Sequence, residues 1–366
     1  MKFKSERDIL VEALSAASRV VATRLIGATS GVLLSLSGNQ LTVTGTDLDI
    51  TVRTTVDVIG INDGSTVVPA RLIVDAVRSL EAGAVTISSN DENVEVSLGR
   101  AKFSLRTFSV MDYPKLPPIT GSVVVVAALD LVQGINQVVR AAANDDARPL
   151  LTGVLLTSEN GSLRLIATDS YRLAVRDVPG VAGIGGAQDL LVPARALQEL
   201  QRAASSLAAD SEISVTLSDA EISFGVGRTS IASRLIDGNY PSVLQLIPAS
   251  YPNQLRIAKD TFLTSLKRAK LLAKDSTSSV RLSMKDKVVE IRTQSHDAGD
   301  VEDNVDADYS GEEMTIAFNP NFLIDGIEAV PGDEVVLEMS DSVRPAMVHG
   351  VEDVRFRYLL MPVRVQ

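Results

Sequence analysis

The chain carries one unit three times over, and this repetition limits what it can fold into more than any other feature. Val67-Val68-Pro69-Ala70-Arg71-Leu72 returns as Leu191-Val192-Pro193-Ala194-Arg195-Ala196 and, more faintly, as Ala317-Phe318-Asn319-Pro320-Asn321-Phe322. The prolines recur at roughly 125 residues, far too long a period for a solenoid and suited to a whole domain. Other landmarks keep the register. Leu41-Thr42-Val43-Thr44-Gly45-Thr46-Asp47 matches Leu163-Arg164-Leu165-Ile166-Ala167-Thr168-Asp169, and the third copy is eroded to Val289-Glu290-Ile291-Arg292-Thr293-Gln294. The segments opening at Val85-Thr86-Ile87, Ile213-Ser214-Val215 and Val335-Val336-Leu337 also correspond. An array of like domains points to geometry, such as a curved scaffold or a ring, more than to a single catalytic pocket.

Three domains are expected, at residues 1–122, 123–249 and 250–366. The stretches Tyr113-Pro114 through Gly121 and Tyr240-Pro241 through Pro252 are proline-rich. Proline fixes its own φ and pushes the preceding residue toward extended geometry, so both suit stiff connectors. Within a unit, Ile9, Leu10, Ala13, Leu14, Ala17, Val20 and Val21 follow helical spacing. Leu131, Ile135, Val138, Val139 and Ala142 do so in the second unit, as do Phe262, Leu266, Ala269 and Leu272-Ala273 in the third. Ser5 and Asp8 have the spacing of a capping box. Alternating runs such as Leu41–Thr44 and Asp49–Arg53 read as half-buried antiparallel strands. The Pro-Ala-Arg junction opens a second helix, from Leu72 to Leu80, with proline at its start. Each domain is therefore an α+β unit of two helices and about eight antiparallel strands.

Composition narrows the function. With 366 residues, 45% of them hydrophobic, the chain can bury several cores. It has no cysteine, hence neither a disulfide frame nor thiolate metal chemistry. Neither a long apolar run nor a signal-peptide core is visible, so a cytoplasmic location is expected. Scarce aromatics, 4% with no tryptophan, disfavour a base-stacking platform for single strands. The net charge of −11 argues against an outer surface that adheres to nucleic acid. Yet basic residues recur on the expected helices: Arg19, Arg24, Arg71 and Arg78, then Arg140, Arg148, Arg195 and Arg202, then Lys267, Arg268, Lys270 and Lys274. Either these are ordinary solvated faces, or six helices line a concave surface facing a duplex.

A catalytic reading would pair Asp47 with Asp169 and use Ser170 as nucleophile. No histidine is near in sequence; the two present are His296 and His349. The two aspartates are repeat-equivalent and are expected to cap turns after a strand. No phosphate loop or metal-ligand cluster is visible, so no enzyme activity, metal or cofactor is expected.

In order along the chain, Gly45-Thr46-Asp47-Leu48, Val68-Pro69-Ala70-Arg71, Ala167-Thr168-Asp169 with Arg172-Leu173-Ala174, Asp237-Gly238-Asn239-Tyr240-Pro241, Tyr309-Ser310-Gly311 with Glu313-Met314, and the tail Tyr358 to Val365 resemble the bacterial β sliding clamps, the processivity subunits of the replicative DNA polymerase. The resemblance spans the chain. It implies a clamp fold closed head to tail into a homodimeric ring, with twelve helices around double-stranded DNA and a continuous sheet outside. It also implies tethering of the replicative polymerase, the clamp loader and repair proteins through short linear motifs. The alternative is a three-domain scaffold that binds only protein partners.

By that resemblance, a peptide groove lies between the second and third domains. Its walls would come from Leu151, Thr168, Ser170, Tyr171, Arg172 and Leu173, from Pro241, Leu246, Asn319, Phe322 and Val343, and from the terminal Met361, Pro362, Val363 and Arg364. Ser170-Tyr171 replaces a frequent Gly-His and makes one wall bulkier, and Gln366 extends the tail. DNA contact falls on Arg24 and Arg148, with Arg71, Arg78, Arg140, Arg195, Arg202, Lys267 and Lys270 on the helices, while Asp145 and Asp146 would repel phosphate. The dimer contact would join Phe103 to Leu271 and Leu272. Asp300, Glu302 and Asp303 would either face Arg100 and Lys102 of the neighbouring copy or belong to a solvated loop.

Overall fold

The computed structural model describes residues 1–22, 27–145, 147–159, 161–181, 184, 188–273, 279–295 and 299–364. Each repeat contributes two α-helices: α1 (Arg7–Val20) and α2 (Ala70–Arg78), α3 (Ala128–Val138) and α4 (Ala194–Ala204), α5 (Lys259–Lys270) and α6 (Pro320–Ala329). Strands fill most of the remainder, and all their pairings are antiparallel.

The chain divides into two compact units, Met1–Leu129 with Arg195–Leu235, and Asp130–Ala194 with Ile236–Gln366. The central repeat is shared between them, because each unit is organised by a sheet that runs through a joint between repeats. In the first unit that sheet has eight strands, in the order Ser122–Ala127, Glu212–Leu217, Glu221–Val226, Thr229–Arg234, Ile50–Asp57, Gln40–Thr46, Gly31–Ser37 and Gly64–Pro69. The second unit repeats the order with Asn253–Ala258, Glu334–Met339, Ala346–Gly350, Phe356–Leu360, Arg172–Val178, Ser162–Thr168, Gly153–Glu159 and Leu190–Pro193, and adds Asp308–Ser310 outside. Each unit also has a smaller sheet, of five and four strands.

In the first repeat Leu10, Leu14 and Ala17 of α1 and Ile73 and Val77 of α2 pack on Val32, Leu34, Leu41 and Val43 of the sheet. Burying such side chains, each at about 1.5–3 kcal/mol, drives the assembly. The i, i+3/i+4 spacing in α1 and the alternation along the strands thus place most of both apolar faces as expected, but Ile9 is 43% exposed and Val21 lies just beyond the end of α1.

Several local expectations need correction. Ser5 is not a helix cap: it lies within the strand Lys2–Glu6 with a buried hydroxyl that has no partner among the described residues, and Glu6 is the N-cap residue. The proline of the second helix lies one position earlier than expected, with Pro69 at the N-cap and α2 running from Ala70 to Arg78. α3 stops at Val138 and tightens into a 3-10 turn, Val139–Ala141. α5 ends at Lys270, so Leu271 and Leu272 lie in the turn beyond it.

Candidate functional site: a groove beside a duplicated turn

The expected groove adjoins a turn that occurs in both units. In the first, the Thr46 hydroxyl donates to the Ile50 carbonyl at 3.0 Å, and Asp47 Oδ1 accepts the Asp49 and Ile50 amides at 3.1 and 2.8 Å. In the second, Thr168 donates to Arg172 O at 2.6 Å, and Asp169 Oδ1 accepts from Tyr171 and Arg172 at 2.9 and 3.1 Å. Both turns force a non-glycine residue into the left-handed region, Leu48 at φ 82° and Ser170 at φ 78°. The aspartates are turn caps, as their repeat equivalence implies. In the eroded third copy, Thr293 keeps a buried hydroxyl with no partner among the described residues.

Arg172 follows the second turn and holds the site together. Its Nε donates to Asp169 Oδ2 at 2.9 Å and its Nη1 to Asp325 Oδ2 of α6 at 2.6 Å. The guanidinium carbon lies 4.3 Å from the centre of the Phe322 ring, a cation–π contact. Tyr358 donates its hydroxyl to Phe322 O at 2.8 Å, and burial pushes that hydroxyl's pKa above its ordinary value. Tyr171 stacks on the same Phe322 with ring centres 6.3 Å apart. The tail is fastened by backbone bonds from Met361 N to Tyr171 O at 2.9 Å and from Val363 N to Ala317 O at 2.8 Å.

The expected walls therefore separate into surface and support. Tyr171 and Val343 are 59% and 66% exposed, and Leu246 and Met361 are exposed apolar groups as well. Pro241, Ser170 and Arg364 are also exposed, while Leu151, Phe322, Pro362 and Val363 are half-buried. Leu173 needs correction as a wall. It is 3% exposed, in a cluster with Ile166, Val175, Val243, Met347 and Leu359. Thr168 and Arg172 are likewise buried, their polar atoms spent on the turn and on α6. Asn319 caps α6 by accepting from Asn321 and Phe322 at 2.9 and 3.4 Å, which leaves only its amide nitrogen for a ligand. Sequence reasoning missed Asp325 and the part that Tyr358 of the tail motif plays here; both hold Arg172 from more than 150 residues away, a contact that no local signal marks.

Most of the basic residues expected to meet DNA have acidic partners. Arg140 reaches Glu328 at 2.8 Å and Asp325 at 3.4 Å, and Lys267 reaches Glu328 at 2.9 Å. Hydrogen bonds from Lys267 and Arg140 hold the Glu328 carboxyl below its ordinary range. Arg195 pairs with Asp47 at 3.0 Å, and Glu199 takes both Arg202 and Arg19. Arg148 donates to Asp169 O and Ser170 Oγ at 3.0 and 3.1 Å, so it braces the turn beside the groove. Arg71, Arg78 and Lys270 are exposed, with Arg71 only loosely paired to Asp75 at 3.7 Å. Arg24, Asp146, Lys274, His296 and Gln366 lie outside the described residues.

Three family models match in order: the N-terminal domain of the DNA polymerase III beta subunit over residues 1–117, the central domain over 126–242 and the C-terminal domain over 244–364. The beta sliding clamp of Streptomyces coelicolor is 32% identical over 384 residues, covering all of both chains. That of Pseudomonas aeruginosa is 28% identical over 369 residues, also covering both in full. Among solved structures, the sliding clamp of Bartonella birtlesii bound to griselimycin superposes with a TM-score of 0.90 at 28% identity, and the Bacillus subtilis clamp with 0.87 at 28%, each covering 100% of both chains. The chain belongs to the DNA polymerase III beta subunit family.

For a member of that family the free sheet edges matter. Ala101–Arg106 ends the five-stranded sheet and Gly299–Asp306 ends the four-stranded one; neither has a partner on its outer side among the described residues. Phe103 lies on the first edge, 36% exposed, and Leu271 is 68% exposed, with Leu272 half-buried. The acidic run does not share one face, because strand side chains alternate. Asp303 turns inward and accepts from Ser265 Oγ at 2.7 Å and Arg268 Nη1 at 3.0 Å, which holds its carboxyl below the usual range. Glu302 pairs with Arg292 at 2.9 Å, leaving Asp300 as the exposed acid without an ion-pair partner among the described residues. Lys102 pairs with Glu95 of its own sheet.

Proposed function

We propose that the chain is a DNA sliding clamp, a non-catalytic accessory subunit of the replicative polymerase. Two copies close head to tail around duplex DNA without reading its sequence, and tether the polymerase and other replication and repair proteins. The ordered match of three beta-subunit models over nearly the whole chain carries this reading. The domains run over 1–122, 123–249 and 250–366, a division supported by the two proline-rich connectors. No helix among the described residues is long and apolar enough to cross a membrane, in keeping with action on DNA in the cytoplasm.

Ring closure pairs the Ala101–Arg106 edge of one copy with the Gly299–Asp306 edge of the next, since an unpaired strand is a ready template for another. Phe103, Leu271 and Leu272 supply apolar contact there. DNA contact is assigned to Arg24, Arg71, Arg78, Lys270 and the paired basic residues. Exposed ion pairs such as those of Arg140 and Lys267 with Glu328 are worth only about 0–1 kcal/mol, so phosphate can take over the cation, whereas the nearly buried carboxylates of Asp47 and Glu199 hold Arg195 and Arg202 more firmly. The peptide groove presents Tyr171, Leu246, Val343 and Met361, with Arg364 and the Asn319 amide as polar anchors. A short peptide with Gln followed by Leu and Phe is expected to bind there at roughly micromolar affinity.

Loaded protein should slide off linear DNA and persist on closed circles. Equal retention on both sinks the ring, and retention on neither favours a scaffold that binds only proteins. Leu271→Ala with Leu272→Ala should convert a particle of twice 38.9 kDa into one of half that mass in sedimentation. Deleting residues 361–366 should abolish binding of the Gln-Leu-Phe peptide while leaving the dimer intact; unchanged binding places the partner site elsewhere.

A further inference from the structure

The two sheet joints follow one plan, so their side chains can be compared position by position. At the second joint Leu173 lies opposite Leu359, which lies opposite Met347, and Val175 is two residues along from Leu173. These groups pack under Tyr240, Val243, Ile247 and Tyr251 of the connector. At the first joint the corresponding positions are Thr51 opposite Ala232, Ala232 opposite Ser223, and Arg53 opposite Ser230. Four large apolar residues have thus become Thr51, Arg53, Ala232 and Ser223. The connector Lys115–Ile119 still covers that face, and a cavity of about 570 Å³ lies beneath it.

The floor of this cavity is short and hydroxyl-rich: Ser214, Thr216, Ser223 and Ser230, with Gly225 and Ala232 between them. Arg53 enters from the side. It is half-buried, donates to Leu116 O at 3.0 Å, and has no carboxylate at ion-pair distance among the described residues. The other charges facing the space are Lys115, Arg234, Asp49 and Glu221. Asp49 sits 3.9 Å from Arg234 and Glu221 lies opposite Arg234 on the next strand, so both acids lie at the Arg234 end, and neither Arg53 nor Lys115 has a carboxylate at ion-pair distance among the described residues. A half-buried guanidinium without an acid favours a carboxylate ligand. Leu48, held outward by its left-handed turn, forms an apolar rim with Leu116 and Ile119. The trough crosses four strands, about 14 Å at the ordinary strand spacing, the length of four or five extended residues.

We propose that this first joint is a second docking site, one that takes a short acidic peptide segment of a protein partner, with its carboxylate on Arg53 and an apolar residue two positions further on against Leu48. The site is distinct from the groove of the second unit and does not depend on that groove's function.

The test uses full-length protein and a fluorescent, capped peptide of sequence Ser-Glu-Ser-Leu-Gly, read by anisotropy. Binding should weaken about tenfold or more when Gln replaces the peptide's Glu, and by a similar factor in Arg53→Gln. Ala232→Leu with Ser223→Met, which restores the second joint's side chains, should abolish it. The Gln-Leu-Phe peptide serves as control and should bind all these proteins equally, which separates a failure of this site from misfolding or from failure of the other groove. Indifference to the Glu-to-Gln change, an undiminished affinity in Arg53→Gln, no binding at millimolar peptide, or equally tight binding of N-acetylglutamate amide alone would each overturn the proposal.

Discussion

At the second joint Leu173, Val175, Leu359 and Met347 close a buried cluster beneath the connector; at the first, Thr51, Arg53, Ala232 and Ser223 hold the same places around a trough. Backbone order, strand register and the turn with its left-handed residue are common to both. The repeat therefore specifies the sheet, while a few inward side chains decide whether its covered face becomes core or cavity. Charge is also placed differently. Arg172 lies behind the sheet, buried and paired with two aspartates, whereas Arg53 points into the trough with no carboxylate at ion-pair distance among the described residues.

The largest expected effect tests that difference in charge. Arg172→Leu leaves Asp169 and Asp325 without their shared cation, and breaking a buried pair from one side costs about 3–5 kcal/mol. Arg53→Leu removes a half-buried group from an open trough and should cost about 1 kcal/mol or less. Denaturant titration of the two variants reads the contrast; equal losses would mean that Arg53 is also structural. Packing gives the next effect. Leu359→Ala opens a cavity in the second joint, at about 2–4 kcal/mol. Ala232→Leu in the first joint should leave stability unchanged or raise it, because its new side chain enters empty space. A loss there comparable with that of Leu359→Ala would show that the trough is too narrow for a leucine.

Sequence alone made the three repeats, their two-helix units, the strand alternation and the aspartate turns legible, because these follow from local period and from internal matches such as Thr46-Asp47 with Thr168-Asp169. It did not separate the groove's surface from its supports. Leu173 and Val343 are both apolar and both near motif positions, but only pairing across the joint shows that Leu173 faces the core cluster. Asp303 was misplaced for a related reason: a run of acids looks like one face until strand alternation divides it. Arg148, expected at DNA, also donates to Asp169 and Ser170 of a turn more than twenty residues away, a contact that its own segment does not announce. The hollow joint was missed although Thr51 and Arg53 match Leu173 and Val175 in the repeat, since the significance of small side chains there depends on Ala232 and Ser223 across the sheet.

Acid provides a smaller test on the second unit. Arg355, and then Arg176, hold the Asp353 carboxyl well below the usual carboxylate range, and Lys267 with Arg140 depresses Glu328. A carboxylate whose folded pKa is lowered contributes stability above its unfolded pKa, about 4, and loses it as pH falls toward the folded value. Below about pH 5, hydrogen-exchange protection, taken relative to the intrinsic rate at each pH, should therefore fall around Arg176, Asp353 and α6. Asp353→Asn should flatten that dependence around Arg176. An unchanged slope would remove this pair as its source.

The smallest effect concerns the two left-handed residues. An L side chain in that region costs about 1–2 kcal/mol, which glycine avoids, while glycine's looser unfolded chain takes back about 0.5–1 kcal/mol. Leu48 is half exposed on the rim of the trough, and its side chain is not part of the first repeat's buried core. Leu48→Gly should therefore stabilise the first unit by about 0.5 kcal/mol. The Ser170 hydroxyl accepts from Arg148 at 3.1 Å, an exposed bond worth about 0.5–1 kcal/mol, so Ser170→Gly should come out near zero. Small shifts in urea midpoint, compared at constant m-value, distinguish the two. If Leu48→Gly proves destabilising, its side chain is held by contacts at the trough's rim, and the apolar anchor for a bound peptide is already occupied in the free protein.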